Sequence, residues 1–143
     1  AVCDMTQAYR EDAKSVLRAI KLHNNRQAVL VQDEISCLLP SDVWWFMHTQ
    51  ADVTISDDGK TATLTKGGVT VYARLLSGDG SFSVMDAQPL PTSPQNSSQN
   101  ANTTFRKLAI CFENVENLTI AVEFTPSEYA GQTSQIIPIE NWQ

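Results

Sequence analysis

The chain holds two histidines, and His48 has the more suggestive surroundings. In an extended strand it shares a face with Trp44 and Phe46, because side chains alternate across a pleat. Two readings are open. Packed beside aromatics, His48 is a core or cleft histidine held by one hydrogen bond. Alternatively it binds a metal together with Asp33 from a neighbouring strand, since imidazole plus carboxylate makes a structural zinc half-site. Zinc needs three or four ligands, and these two residues supply only two. His23, in the turn His23-Asn24-Asn25, is expected to be too exposed to complete the set.

Asp33-Glu34 has the residue types of an acid/base pair but the wrong spacing. Successive strand residues point to opposite faces, so these carboxylates cannot share a proton or a substrate atom. The simpler expectation is a solvated Glu34 and an Asp33 paired with a nearby Arg or His. Trp44-Trp45 likewise projects to both faces. One ring belongs to the core, and the other is free to pack or to stack on a sugar ring at a substrate-binding surface. Arg10, Arg18, Arg26, Arg74 and Arg106 are dispersed and mark no anion groove. There is no G-x-S-x-G, no P-loop and no dinucleotide fingerprint. Nothing in these patterns makes a self-sufficient enzyme.

The elements that carry these residues are strands. Residues 15–22 alternate through Val16, Arg18, Ile20 and Leu22, although residues 11–22 also fit a helix. In residues 27–37, Val29, Val31, Asp33, Ile35 and Cys37 share one face. Pro40-Ser41-Asp42 should break the chain before a strand over residues 43–49 with bulky groups on both faces. Asp57-Asp58-Gly59-Lys60, Gly67-Gly68 and Gly78-Asp79-Gly80 then punctuate a meander. Residues 88–104, rich in Pro, Asn and Ser, read as one long exposed loop. Two closing strands follow. Phe105, Lys107, Ala109 and Cys111 oppose Arg106, Leu108, Ile110 and Phe112, and a turn over residues 114–117 leads to Leu118, Ile120, Val122 and Phe124. The tail beyond is irregular, with Trp142 docking on the sheet. The expected fold is a single all-β domain over residues 1–143, an antiparallel β-sandwich of eight or nine strands or a strongly coiled double sheet.

The 143 residues are enough to bury a core without a metal or disulfide staple. A formal net charge of −6 argues against nucleic acid and anionic membranes as partners. No apolar run is long enough for a membrane span. A start at Ala1 without a signal peptide suggests a processed or excised domain. Cys3, Cys37 and Cys111 allow at most one bridge. Asn96, Asn102 and Asn117 each open an N-x-[ST] glycosylation sequon, which together with the odd cysteine count points outside the cell.

Residues 2–53 resemble the C-terminal part of heparinase II/III-like polysaccharide lyases. Three pieces carry the resemblance. They are Val2-Cys3-Asp4-Met5-Thr6-Gln7-Ala8-Tyr9 with the following Val16-Leu17-Arg18-Ala19-Ile20, then Val29-Leu30-Val31-Gln32-Asp33-Glu34-Ile35, then Val43-Trp44-Trp45-Phe46-Met47-His48-Thr49-Gln50-Ala51. The hairpin Asp57-Asp58-Gly59-Lys60-Thr61-Ala62 continues it. The resemblance implies a secreted enzyme with an N-terminal α/α toroid and a C-terminal β-sandwich, cleaving acidic polysaccharide by β-elimination. Its catalytic groups would lie upstream of Ala1, so this chain would be a non-catalytic domain that partners the toroid. Some relatives hold a structural metal with His and Asp, and Asp33 and His48 look like those positions. The competing expectation is a free-standing extracellular β module that binds carbohydrate or forms a homo-oligomer or fibre.

Overall fold

A computed structural model describes residues 1–126 and 134–142. The other residues of the irregular tail, 127–133 and 143, lie outside this description. Eight strands follow one another: β1 (Val2–Asp4), β2 (Ala13–His23), β3 (Ala28–Thr49), β4 (Asp52–Ile55), β5 (Thr61–Lys66), β6 (Val69–Leu75), β7 (Phe82–Asp86) and β8 (Arg106–Thr125). Short 3-10 turns at Thr6–Tyr9 and Ile139–Asn141 are the only helical pieces among the described residues. None is long and apolar enough to cross a membrane.

All pairings are antiparallel, in the order β1-β2-β3-β8-β6-β5-β4, with β7 also on β8. The fold is therefore all-β and antiparallel, but its strands join one continuous sheet rather than two separate ones. The reason is the length of β3 and β8, at 22 and 20 residues. Their first-half and second-half pairings build two regions. One region joins the start of β3 to β2 and to the end of β8, which also carries β6. The other joins the end of β3 to the start of β8, which also carries β7.

Two expected breaks are bends inside these strands. Pro40-Ser41-Asp42 does not end β3; the register shifts between Ser36 and Ser41, which pairs with Val115, and again before Val43 opposite Phe112. Proline lacks the N–H a ladder needs, so an irregular stretch is where it fits. The turn expected at residues 114–117 is instead part of β8. There Asn114 takes a positive φ of 54°, and its N–H donates to Asp42 Oδ1 at 2.9 Å. Gly80 packs against the same bend, where an added Cβ would lie 2.5 Å from Ile110 Cγ2, so only hydrogen fits.

The helical alternative for residues 11–22 gives way to β2, which pairs with β3 along its length. The meander holds for β4, β5 and β6. Lys66 and Val69 face each other across Gly67-Gly68, both at positive φ, as a two-residue hairpin loop requires. β7 leaves the meander and lies farther along β8.

Register sets one face of the sheet inward. Leu22, Val29, Phe124, Ala73, Ala62 and Ile55 form a transverse row across six strands, buried at Ala73 and Ala62 and opening to solvent at Leu22. The core joins this face to the second region through Leu64, Leu75, Ile120, Val122, Trp45, Phe82, Leu108 and Ile110. On the outer face the tail is fastened down. Gln32 Nε2 donates to Ile137 O at 2.8 Å and Ile139 N donates to Glu34 Oε1 at 2.8 Å. Glu34, expected to be solvated, thus serves as an anchor. Trp142 docks beside Lys21, whose Nζ lies 5.8 Å from the ring centroid.

Candidate functional site: a cleft and a cationic hollow

Arg18 and Asp33 face each other across β2 and β3 on the inward face. Arg18 Nε donates to Asp33 Oδ1 at 2.6 Å and Nη2 donates to Oδ2 at 2.9 Å. Asp33 is only 2% exposed, and a bidentate guanidinium is the partner that makes such burial tolerable. The hydrogen bond to Asp33 raises the Arg18 pKa, against the opposing effect of burial. The pair lines a cleft of about 320 Å³, with Tyr9 and Asp12 on one side and Val43, Trp44 and Trp45 on the other. Burial, with Asp12 nearby, raises the Cys37 thiol pKa at its floor. All three cysteines are free thiols. Chemically the cleft offers hydroxyl, guanidinium and aromatic surface. Its buried carboxylate is already engaged and is a poor general base.

Asp33 and His48 are not brought together. They lie on the same strand, not neighbouring ones, and on opposite sides of its bend: Asp33 faces Ile120 while His48 faces Lys107. Both Asp33 oxygens accept from Arg18. Among the described residues no group of three His, Cys, Asp or Glu is arranged to hold a metal.

Trp44 and Trp45 separate as alternation requires. Trp45 is 5% exposed and meets Phe82 edge-on at 6.5 Å. Trp44 is 36% exposed and stacks on Phe46, with centroids 5.6 Å apart and planes within 16°. This outward face continues to exposed His48 and to the half-buried Phe46. Phe46 and His48 border a shallow hollow of about 370 Å³ roofed by the Pro- and Asn-rich loop, including Gln88, Ser93, Gln99 and Asn102. Lys107, across from His48 on β8, also lines it. Lys107 is 4% exposed, with Nζ 4.4 Å from the Phe46 ring centroid and donating to Gln88 O at 2.6 Å.

A second buried carboxylate, Glu123, sits under the tail. It accepts from Arg74 Nη2 at 2.6 Å and from Ser134 Oγ at 2.5 Å, and His23 Nε2 lies 3.2 Å away. His23 is thus half-buried, not exposed as its turn suggested. A serine, histidine and acid here do not form a relay. Ser134 passes its hydrogen to Glu123, and Glu123 and Ser134 approach the same histidine nitrogen. Of the three sequon asparagines, only Asn102 lines one of these two cavities. Asn96 is exposed in the loop, Asn102 is half-buried at the hollow, and Asn117 lies within β8, accepting from Ser36 Oγ at 2.9 Å.

Sequence reasoning passed over Arg18 as one of several scattered arginines and did not single out Lys107. The signal for each was a charge on an otherwise apolar face: Arg18 among Val16, Ile20 and Leu22, and Lys107 beside Ala109 and Cys111. No protein-family model matches the chain, and no curated protein matches it significantly.

Proposed function

We propose that this chain is the non-catalytic C-terminal β domain of a secreted, heparinase II/III-like polysaccharide lyase acting on acidic glycans. One observation carries the reading. The three sequence pieces behind the resemblance converge on a single cleft, with Tyr9 and Arg18 from the first, Asp33 and Ile35 from the second, and Val43 and Trp45 from the third. β-Elimination needs a base free to take the proton beside a uronate carboxylate. Arg18 holds the cleft's buried carboxylate, Asp33, while Asp12 and Asp42 also line the cleft; on this reading the base comes from a partnering α/α toroid. The outward Trp44–Phe46 stack supplies aromatic surface for a sugar ring.

The test has two parts. The coding sequence upstream of Ala1 should encode several hundred mainly helical residues. The purified chain, given uronic-acid polymers, should release no unsaturated ends by ultraviolet absorbance. Depolymerisation by the chain alone, or a secretion signal directly before Ala1, overturns the reading.

A second reading, a free-standing module that assembles with its own copies, draws on one feature. β2 carries two exposed apolar side chains toward its end. Ile20 and Leu22 are 46% and 60% exposed there. Concentration-dependent sedimentation would favour it, and a monomer at all concentrations would exclude it.

A further inference from the structure

We infer that the hollow beneath the Pro- and Asn-rich loop is an oxyanion-binding site whose cation is Lys107. It goes beyond the lyase reading and needs no toroid.

The argument begins with a charge out of water. Lys107 is 4% exposed, and a buried ammonium is costly unless it is paired. The other buried charges among the described residues have such partners: Asp33 has Arg18, and Glu123 has Arg74. Lys107 makes no ion pair with any described carboxylate. The nearest acid in sequence across the β7 ladder, Asp86, is exposed and bonded to Arg106. An ammonium has three N–H groups. One goes to Gln88 O, and the Phe46 ring face attracts a second direction. Neither neutralises the charge.

The surroundings suit an anion with several oxygens. His48 sits directly opposite Lys107, and the polar residues Ser93, Gln99 and Asn102 line the same hollow. No acid lines it. These are donors without competing carboxylates, in a chain whose net charge is −6. The ligand class is a carboxylate or sulfate group, as a free ion or carried on a sugar, where the adjoining Trp44–Phe46 stack would seat the ring.

The experiment is a thermal-shift and calorimetric titration of the chain with sodium sulfate and with a galacturonate oligosaccharide, against sodium chloride at matched ionic strength. At ten times Kd the wild-type Tm should rise by about 4 °C. Lys107→Met should weaken binding at least about tenfold. His48→Ala, at an exposed position, should weaken it less while leaving the fold intact. Whichever of the two ligands binds identifies the source of the anion. If neither shifts the wild type beyond chloride, or if both variants shift as much as it does, the inference is overturned.

Discussion

Asp33 and Lys107 are nearly equally removed from water, at 2% and 4% exposure, yet their surroundings treat them in opposite ways. Asp33 receives a two-point guanidinium clamp across a regular ladder. Lys107 receives a carbonyl and a ring face, beneath a loop. The first arrangement is closed and complete, and belongs to the architecture. The second leaves charge over, and belongs to recognition. A buried charge is therefore informative chiefly through what does not balance it.

Removing a partner should expose the contrast most sharply. Arg18→Met leaves Asp33 buried without a counter-charge and should cost about 3 kcal/mol, a fall in Tm of roughly 10 °C. The double variant Arg18→Leu, Asp33→Leu should recover most of it. A single variant as stable as wild type would show that the clamp is ornamental. Lys107→Met should behave otherwise. In buffer without polyvalent anions it removes an unbalanced charge, so its stability by chemical denaturation should stay within about 1 kcal/mol of wild type or rise. A loss well beyond that would mean Lys107 is structurally satisfied after all.

The smallest effect comes from a charge that never left water. Asp58 accepts from Ser56 Oγ and from Lys60 N in the β4–β5 turn, and these bonds lower its pKa below 3.8. A depressed carboxylate contributes stability that is present above its unfolded value and lost as pH falls through the folded one. Asp58→Asn should flatten the acid limb of a Tm-against-pH curve slightly, with Tm a little below wild type near neutrality and the two curves converging in acid. An unchanged acid limb would remove Asp58 from the account.

The strands were legible because alternation and glycine turns are local. Gly67-Gly68 alone dictated the β5–β6 register. What stayed illegible was continuity. Pro40 and the mostly polar residues 114–117 look like chain breaks, since a proline or an Asn-rich stretch usually ends a ladder. Whether it ends the strand or only bends it depends on partners far along the chain, such as Asp42 capping Asn114. The site divided the same way. Alternation put Trp44 and Trp45 on opposite faces and His48 with Phe46, but burial in the folded chain decided that Trp45 is the inward ring. It could not tell that Asp33 and His48 share one strand, because a single 22-residue strand looks like two. Lys107 was visible as a cation on an apolar face, but its lack of a counter-ion is a property of the folded neighbourhood.

The two long strands have a mechanical consequence. β3 and β8 pass through both regions like beams shared by adjoining rooms. A fluctuation that frays one region must bend the same beams where they support the other, so neither region is a separate cooperative unit. Among the described residues the two regions share these two strands rather than meeting only at a loop. Strain introduced at the corner near Gly80 and Asn114 would be felt at both the cleft and the hollow.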